Sequence, residues 1–341
     1  MRRLLRSSAG IALLLACATS VTMGQQAIVL VGSGSTVPAP LVSKWAEAFN
    51  QQNHNAQMRY LASGTGEGIT AISHGSGDFA AGEVPLTAKQ RSEAGLIEIP
   101  AIVIGIVPIY NVPGVQTELR FSGEVLADIF LGKITTWNAP ALAKLNPGVN
   151  LPGVPIKVIH RPAGKGSNYI FTEFLSKSSS KFRSEIGISA SPKWPVGTPA
   201  ERSSEMVEAV KSESGSIGYV EAQYAIQSGI PMGLVLNAAG HFVKASQESL
   251  TEACRAVEAP AFDKFSASLN DPPGADSFPI ASFDWLYLRT NISDVKREAA
   301  LQQFLTWVFS QGQRVAVESG YSELPPPLLA KINASLNERI K

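Results

Sequence analysis

Three times this chain passes from a short strand through a glycine- and hydroxyl-rich turn into a helix, and this pattern constrains the fold more than any other feature. The strand segments are residues 27–31, 58–61 and 155–160, and apolar residues at helical spacing follow each turn. Strands that alternate with helices pair mainly in parallel within α/β sheets. The sequence therefore predicts an α/β fold built on parallel strands.

The first of the three turns predicts a helix that could hold an anion at its N-terminus. Thr36 suits the N-cap position, and Pro38 is tolerated in the first helical turn. The apolar residues that follow predict a helix over residues 38–52. Such a helix presents free N–H groups and the positive end of its dipole. Most capped helices bind nothing, so one such turn carries little weight alone.

The other two turns place similar groups at two further helix starts. Thr65 and Ser167 are the candidate caps there, and Arg161 just before the third turn supplies a planar, bidentate donor. Ligands of open α/β sheets lie beyond the carboxyl ends of the strands, where all three turns would lie. The sequence predicts one anion site where the turns converge.

The length of 341 residues predicts two lobes, because a single core rarely grows that large. Residues 99–110 and 278–288 are long apolar strands, and we expect them to connect the lobes. Lobe 1 would comprise residues 25–106 and 279–341, and lobe 2 residues 107–278. Further predicted elements are helices at 122–131, 138–145 and within 293–318, a strand at 215–220, and a rigid turn at 325–327.

The N-terminus predicts export. Arg2, Arg3 and Arg6 precede an apolar run over residues 11–16 that is too short to span a bilayer, and we expect residues 1–24 to be removed as a signal peptide. An alternative is lipoprotein processing, with the chain anchored through Cys17. Either route leaves Cys254 without a partner for an intramolecular disulfide.

The mature chain has no basic character that would suit nucleic acid. Removing residues 1–24 deletes three arginines and no acid, which moves the formal charge from +1 to −2. No cluster of Lys and Arg alternates with aromatic residues. We therefore expect no nucleic-acid partner.

Several motifs in order resemble the periplasmic phosphate-binding protein family of the high-affinity phosphate ABC transporter. They are residues 34–40 with Lys44 and Trp45, residues 78–86, residues 128–134 with Trp137 and Asn138, residues 160–172, and residues 217–221. The resemblance covers nearly the whole mature chain. It implies a type II periplasmic-binding-protein fold, an α/β architecture of two lobes with two mixed sheets, flanked by helices and joined by a two-strand hinge.

The resemblance also implies the ligand and the residues that bind it. It assigns inorganic phosphate to an interlobe cleft, and it assigns delivery of phosphate to an ABC transporter permease in the inner membrane. A periplasmic location, a monomer, and the absence of cofactor, metal and enzymatic activity are implied too. The implied phosphate-binding residues are Thr36, the Val37 backbone, Thr65, Glu83, Arg161, Gly166 and Ser167.

The chain departs from the family pattern at three of these positions. Glu83 stands where the family usually has an aspartate that accepts a hydrogen bond from protonated phosphate, and Ala163 replaces an aspartate that braces the arginine. Lys165 replaces a serine donor and is a candidate additional ligand. We expect Lys165 to add charge at the rim of the site or to pair with Glu83.

The sequence is also compatible with other functions. A receptor for another oxyanion and a phosphate sensor would use the same residues, whereas a secreted phosphatase would need a metal or a nucleophile with a base. The four histidines stand far apart, and neither a His-Glu-x-x-His motif nor a Gly-x-Ser-x-Gly motif occurs. The Gly164–Ser167 turn lacks the first glycine of a nucleotide-binding loop, because Ile159 stands in its place.

Overall fold

The structure, a computed structural model, describes residues 27–257 and 268–339. The predicted signal peptide and Cys17 lie outside these ranges. Eleven strands occur in the described residues. They are β1 (Ile28–Gly34), β2 (Ala56–Ala62), β3 (Phe79–Gly82), β4 (Leu96–Asn111), β5 (Arg120–Phe121), β6 (Lys157–His160), β7 (Thr198–Pro199), β8 (Ser216–Glu221), β9 (Leu234–Leu236), β10 (Phe242–Val243) and β11 (Ala281–Arg289).

Eight of these strands form one mixed sheet in the order β2-β1-β3-β11-β4-β8-β6-β7, and the remaining three form a small sheet in the order β10-β9-β5. β1 pairs in parallel with β2 and β3, and β6 pairs in parallel with β7 and β8. β11 and β4 run antiparallel to their neighbours. The parallel pairs expected from the alternation of strands and helices are present on both sides, and two long strands at the centre reverse the direction, so the sheet is mixed as the resemblance implies.

The predicted apolar strand at 99–110 is the longest strand of the large sheet. Fourteen of the sixteen residues of β4 are buried, which explains the unbroken apolar run. Its first part pairs with β11 over Leu96–Gly105, and its last part pairs with β8 over Ile106–Asn111. One strand thus connects the β1-β2-β3 side of the sheet with the β6-β7-β8 side.

Helices flank the sheet. They are α1 (Ala39–Gln52), α2 (Thr65–Ser73), α3 (Ala88–Glu93), α4 (Gly123–Phe130), α5 (Pro140–Leu145), α6 (Gly166–Ser178), α7 (Ser180–Glu185), α8 (Ser203–Ser212), α9 (Ala222–Ser228), α10 (Gln247–Arg255), α11 (Val295–Trp307), α12 (Gln313–Glu318) and α13 (Pro326–Arg339). A π-helical turn at Val308–Gly312 joins α11 to α12. None of the helices in the described ranges combines the length and apolar character needed to cross a membrane.

The apolar face predicted for the first helix is confirmed. Leu41, Val42, Trp45 and Phe49 are all buried on α1, at the spacing that places them on one side of a helix. Trp45 donates through Nε1 to the carbonyl oxygen of Gly312 at 2.7 Å. The hydrogen bond fastens α1 to the π-helical turn near the C-terminus.

The predicted hydroxyl caps at Thr36, Thr65 and Ser167 are wrong. Pro38 occupies the N-cap of α1, whereas Thr65 is the first residue of α2 and Ser167 the second residue of α6. Glycines with positive φ, Gly34 at 135° and Gly64 at 138°, make the first two turns instead. The hydroxyl groups are therefore not committed to their own helix ends.

Candidate functional site

The site lies where the loops after β1, β2 and β3 meet. Ser63 and Gly64 both donate their backbone N–H to the carbonyl oxygen of Gly34, at 2.8 and 2.7 Å, and Ser35 donates its N–H to Ala81 at 2.9 Å. A side chain at Gly34 would place its Cβ 2.1 Å from the Ala81 oxygen, so only glycine fits this crossing. These contacts fix the helix starts of α1 and α2 beside the end of β3.

Glu83 is the acid at the centre of this cluster. It follows β3, is fully buried, and accepts a hydrogen bond at Oε2 from Thr65 Oγ1 at 2.8 Å. Its second oxygen, Oε1, is buried without a hydrogen-bond partner. Gly166 lies directly against the carboxylate, because a Cβ there would lie 1.6 Å from Glu83 Oε2. The start of α6 thus packs on the acid that follows β3.

Arg161 is the cation of the site and follows β6. It is 1% exposed, and its Nη2 donates to Thr36 Oγ1 at 3.3 Å and to the Glu201 carbonyl at 2.7 Å, while Nη1 donates to Ser203 Oγ at 3.2 Å. Its Nε has no partner. Arg161 therefore reaches the loop of Thr36 and still has one buried donor free.

The turn between Arg161 and Ser167 is held by Asn168 and Tyr219. Asn168 Nδ2 donates to the carbonyl oxygens of Pro162 and Ala190 at 2.7 and 3.0 Å. The Tyr219 hydroxyl donates to Asn168 Oδ1 and accepts the backbone N–H of Arg161. Ser167 is buried, and its hydroxyl has no partner.

Three buried polar atoms without partners therefore belong to predicted site residues: Glu83 Oε1, Arg161 Nε and Ser167 Oγ. Buried polar groups are normally hydrogen-bonded, and leaving one unpaired costs about 1–3 kcal/mol. Two of these atoms are donors and one is an acceptor. The arrangement suits a small polar ligand that accepts hydrogen bonds and donates one.

The structure brings six predicted residues together but gives two others different partners. Thr36, Thr65, Glu83, Arg161, Gly166 and Ser167 form the connected cluster. The backbone N–H of Val37 donates to Ser35 Oγ at 3.1 Å. Lys165 forms an ion pair with Glu201 at 3.1 Å, so the expected pairing with Glu83 is wrong.

Two buried acids near the cluster were missed by the sequence reasoning. Glu221 ends β8 and is 1% exposed, and Asp284 lies within β11 and is also 1% exposed. Each acid stands next to a run of mainly apolar residues in the sequence, and this position could have identified it as a buried acid. Burial raises the pKa of both carboxyl groups well above the usual range, and the charge of Glu83 raises it further.

Glu221 is the acid with the strongest electrostatic influence on Arg161 in this chain. Burial lowers the pKa of Arg161, and the charge of Glu221 is the largest influence that opposes this shift. Ala163 cannot provide the aspartate expected two residues after the arginine, and both carboxyl oxygens of Glu221 are buried without a hydrogen-bond partner, so Glu221 does not brace Arg161 in its place. Among the described residues, no group of three or more His, Cys, Asp and Glu is arranged to hold a metal ion.

Comparisons with known proteins agree with the geometry. Residues 19–311 match the PBP superfamily domain. The phosphate-binding protein PstS of Pasteurella multocida is 35% identical over 317 residues, which cover 93% of this chain and 92% of that protein.

Solved structures share the fold. A high-affinity periplasmic phosphate-binding protein, solved with bound phosphate, superposes with a TM-score of 0.73 at 19% identity, covering 90% of this chain and 94% of the other. A phosphate-binding protein from Stenotrophomonas maltophilia superposes with a TM-score of 0.68 at 17% identity over the same shares. The predicted fold class is confirmed.

Proposed function

The chain belongs to the PBP superfamily and, within it, to the family of the phosphate-binding protein PstS, and from this premise we propose that it captures inorganic phosphate and delivers it to an ABC transporter. The observation that carries the proposal is the buried cluster of free polar atoms at Glu83, Arg161 and Ser167. A tetrahedral oxyanion with one proton can satisfy all three.

The donors would hold the ligand and the acid would select it. Arg161 and Ser167 offer free donors to phosphate oxygens, and the N–H group of Gly166 lies at the start of α6. The Val37 N–H would have to give up its hydrogen bond to Ser35 Oγ to join them. Glu83 Oε1 accepts a hydrogen bond only from a ligand that still carries a proton. Sulfate lacks that proton at neutral pH, so its oxygen would face the carboxylate unpaired, at a cost of about 1–3 kcal/mol or more.

The Thr65 hydroxyl has one hydrogen, and in this structure it donates that hydrogen in a hydrogen bond to Glu83. This hydroxyl therefore positions the acid, and it can donate to phosphate only if it gives up that contact. Thr36 differs, because its hydroxyl accepts from Arg161 and so retains its own proton for a ligand oxygen.

The cluster combines residues from the two lobes of the proposed architecture. Thr36, Thr65 and Glu83 belong to the lobe of residues 25–106 and 279–341, whereas Arg161, Gly166 and Ser167 belong to the lobe of residues 107–278. β4 and β11 would form the hinge. Phosphate that contacts both sides favours the closed arrangement of the lobes, and closure would present the surface that a membrane permease recognises.

Export places the protein where this function is useful. We expect removal of residues 1–24 and a monomer in the periplasm, with anchoring through Cys17 as the alternative. Intact mass of the protein purified from the periplasm separates the two routes, because a chain that begins at Gln25 and an acylated chain that begins at Cys17 differ in mass and in detergent partitioning.

Isothermal titration with phosphate and with sulfate, together with a turnover assay on a phosphomonoester, tests the proposal. We expect saturable binding of phosphate at one site, no saturable binding of sulfate, and no turnover. Ser167→Ala should weaken phosphate binding. Ser184→Ala, which changes an exposed serine on α7, should not. Equal binding of sulfate would indicate a general oxyanion receptor, and turnover would indicate a phosphatase.

A further inference from the structure

Asp284 and Glu83 lie directly beyond the last residue pair of β11 and β3. In the antiparallel pairing of β11 with β3, Trp285 is opposite Gly82, so the next pair along the two chains is Asp284 and Glu83. The pairing of β11 with β4 shifts its register between Asp284 and Trp285, which marks a β-bulge at this point. A bulge redirects side chains, and here it lies beside the site.

Each of the two acids has one buried carboxyl oxygen without a hydrogen-bond partner, Oε1 of Glu83 and Oδ2 of Asp284. Both residues are buried, with Glu83 at 0% and Asp284 at 1% exposure. Two carboxyl groups can share a hydrogen bond only if one of them carries a proton, because an ionised carboxylate has no donor. Like charges held this close in a buried site cannot both ionise.

Resting on the proposed function, we propose that Asp284 determines ligand specificity: it stays neutral, donates its proton to Glu83, and so keeps Glu83 an ionised acceptor with Oε1 free for a protonated oxyanion. The oxygens of Glu83 then have distinct tasks. Oε2 accepts a hydrogen bond from Thr65 Oγ1 at 2.8 Å, and Oε1 has no hydrogen-bond partner in the protein. Without a proton donor at position 284, the buried Glu83 would itself take up a proton and become a donor towards the ligand.

The direction of the pKa shifts agrees with this assignment. Burial raises the pKa of both carboxyl groups. The polar groups of Asp284, Ser35 and Thr65 oppose that rise at Glu83, whereas the charge of Glu83 adds to it at Asp284. Asp284 is therefore the partner that keeps the proton.

No other group around the pair takes over this task. Tyr60 from β2 and Tyr287 from β11 face both acids, and burial raises the pKa of each phenol, so both stay neutral. Four further titratable groups interact electrostatically with one of the two acids or with one of these tyrosines. They are Tyr321, Glu98, Glu221 and Arg161. Arg161 favours an ionised Glu83, as the proposal requires.

The test compares Asp284→Asn with Asp284→Leu in the mature protein. Asparagine still donates to Glu83 but cannot ionise, and leucine cannot donate. Titrations with phosphate and sulfate at neutral pH should give Asp284→Asn the wild-type preference for phosphate within about threefold, and Asp284→Leu a preference reduced by at least about tenfold. Asp276→Asn, an exposed acid shortly before β11, is the matched control and should change nothing.

Infrared spectroscopy keeps the proposal testable if the leucine variant does not fold. At pH 8 the difference spectrum between wild type and Asp284→Asn should show the loss of one carbonyl band of a protonated carboxylic acid, a band that shifts in D₂O. The proposal is overturned if that band is missing from the wild type, or if asparagine and leucine change the preference equally. A wild type that binds no phosphate would instead overturn the proposed function.

Discussion

A methyl group at position 166 should prevent the two sides of the site from meeting. The Cβ of Gly166→Ala would lie 1.6 Å from Glu83 Oε2 and 2.7 Å from Thr65 Oγ1, whereas an ordinary carbon–oxygen contact is about 3.4 Å. Glu83 and Thr65 are hydrogen-bonded to each other, so neither can move without breaking that bond. Gly166 has no positive φ, so backbone strain does not contribute.

The magnitude follows from overpacking of a tight contact. Forcing an extra methyl group into a packed site costs about 1–3 kcal/mol. Because the clash exists only while α6 lies against Glu83, the cost should appear in ligand binding, as about 5- to 100-fold weaker affinity for phosphate. The folded state can relieve the clash by separating the two sides, so the melting temperature should change little.

Gly66→Ala is the matched control for this substitution. Gly66 lies in the first turn of α2, and its nearest neighbours to a new Cβ are Gly164 atoms at 3.6 and 3.7 Å, which is ordinary contact. Isothermal titration should give Gly66→Ala the wild-type affinity, and alanine should stabilise the helix by up to about 1 kcal/mol. Wild-type affinity in Gly166→Ala, or equal losses in both variants, would refute the reasoning.

Three further outcomes are expected. Arg161→Lys should weaken phosphate binding at least about tenfold in titrations, because lysine cannot donate from Nε, Nη1 and Nη2 at once; unchanged affinity would contradict this. Arg297→Met should leave the affinity for phosphate unchanged but lower the free energy of unfolding by about 1–2 kcal/mol, because it leaves the buried Asp78 without its partly exposed bidentate partner. An unchanged midpoint of urea unfolding would contradict this. Burial raises the pKa of Glu221 in the folded protein, so the contribution of this residue to stability is complete at low pH and is lost as pH rises. Urea unfolding between about pH 5 and 8 should show a smaller decrease in the free energy of unfolding for Glu221→Gln than for the wild type, and equal decreases would contradict this.

Local patterns predicted the helices and strands well. The apolar spacing on α1 gave its buried face, and the long run at 99–110 gave β4. The two closing helices expected within 293–318 are α11 and α12, with a π-helical turn between them. The C-terminal helix α13 was missed because Pro325–Pro327 indicates a turn, although proline is also tolerated where a helix begins.

The site was only partly predictable, because its contacts are long-range. Glycine and hydroxyl residues near helix starts identified Thr36, Thr65 and Ser167, but the sequence could not tell that these hydroxyl groups face the cluster rather than their own helix ends. Asp284 lies 201 positions after Glu83 in the sequence, and only the pairing of β11 with β3 brings them together. Sheet register between distant strands cannot be read from local periodicity.

A crystal structure of the protein grown with saturating phosphate tests the central claim most directly. We expect one tetrahedral anion bounded by Arg161 and Ser167 on one side and by Thr36 and Glu83 on the other, with a phosphate oxygen in hydrogen-bonding distance of Glu83 Oε1. An empty cluster, or phosphate seated elsewhere, such as the surface groove of about 740 Å³ beside Lys244 and Pro231, would contradict it.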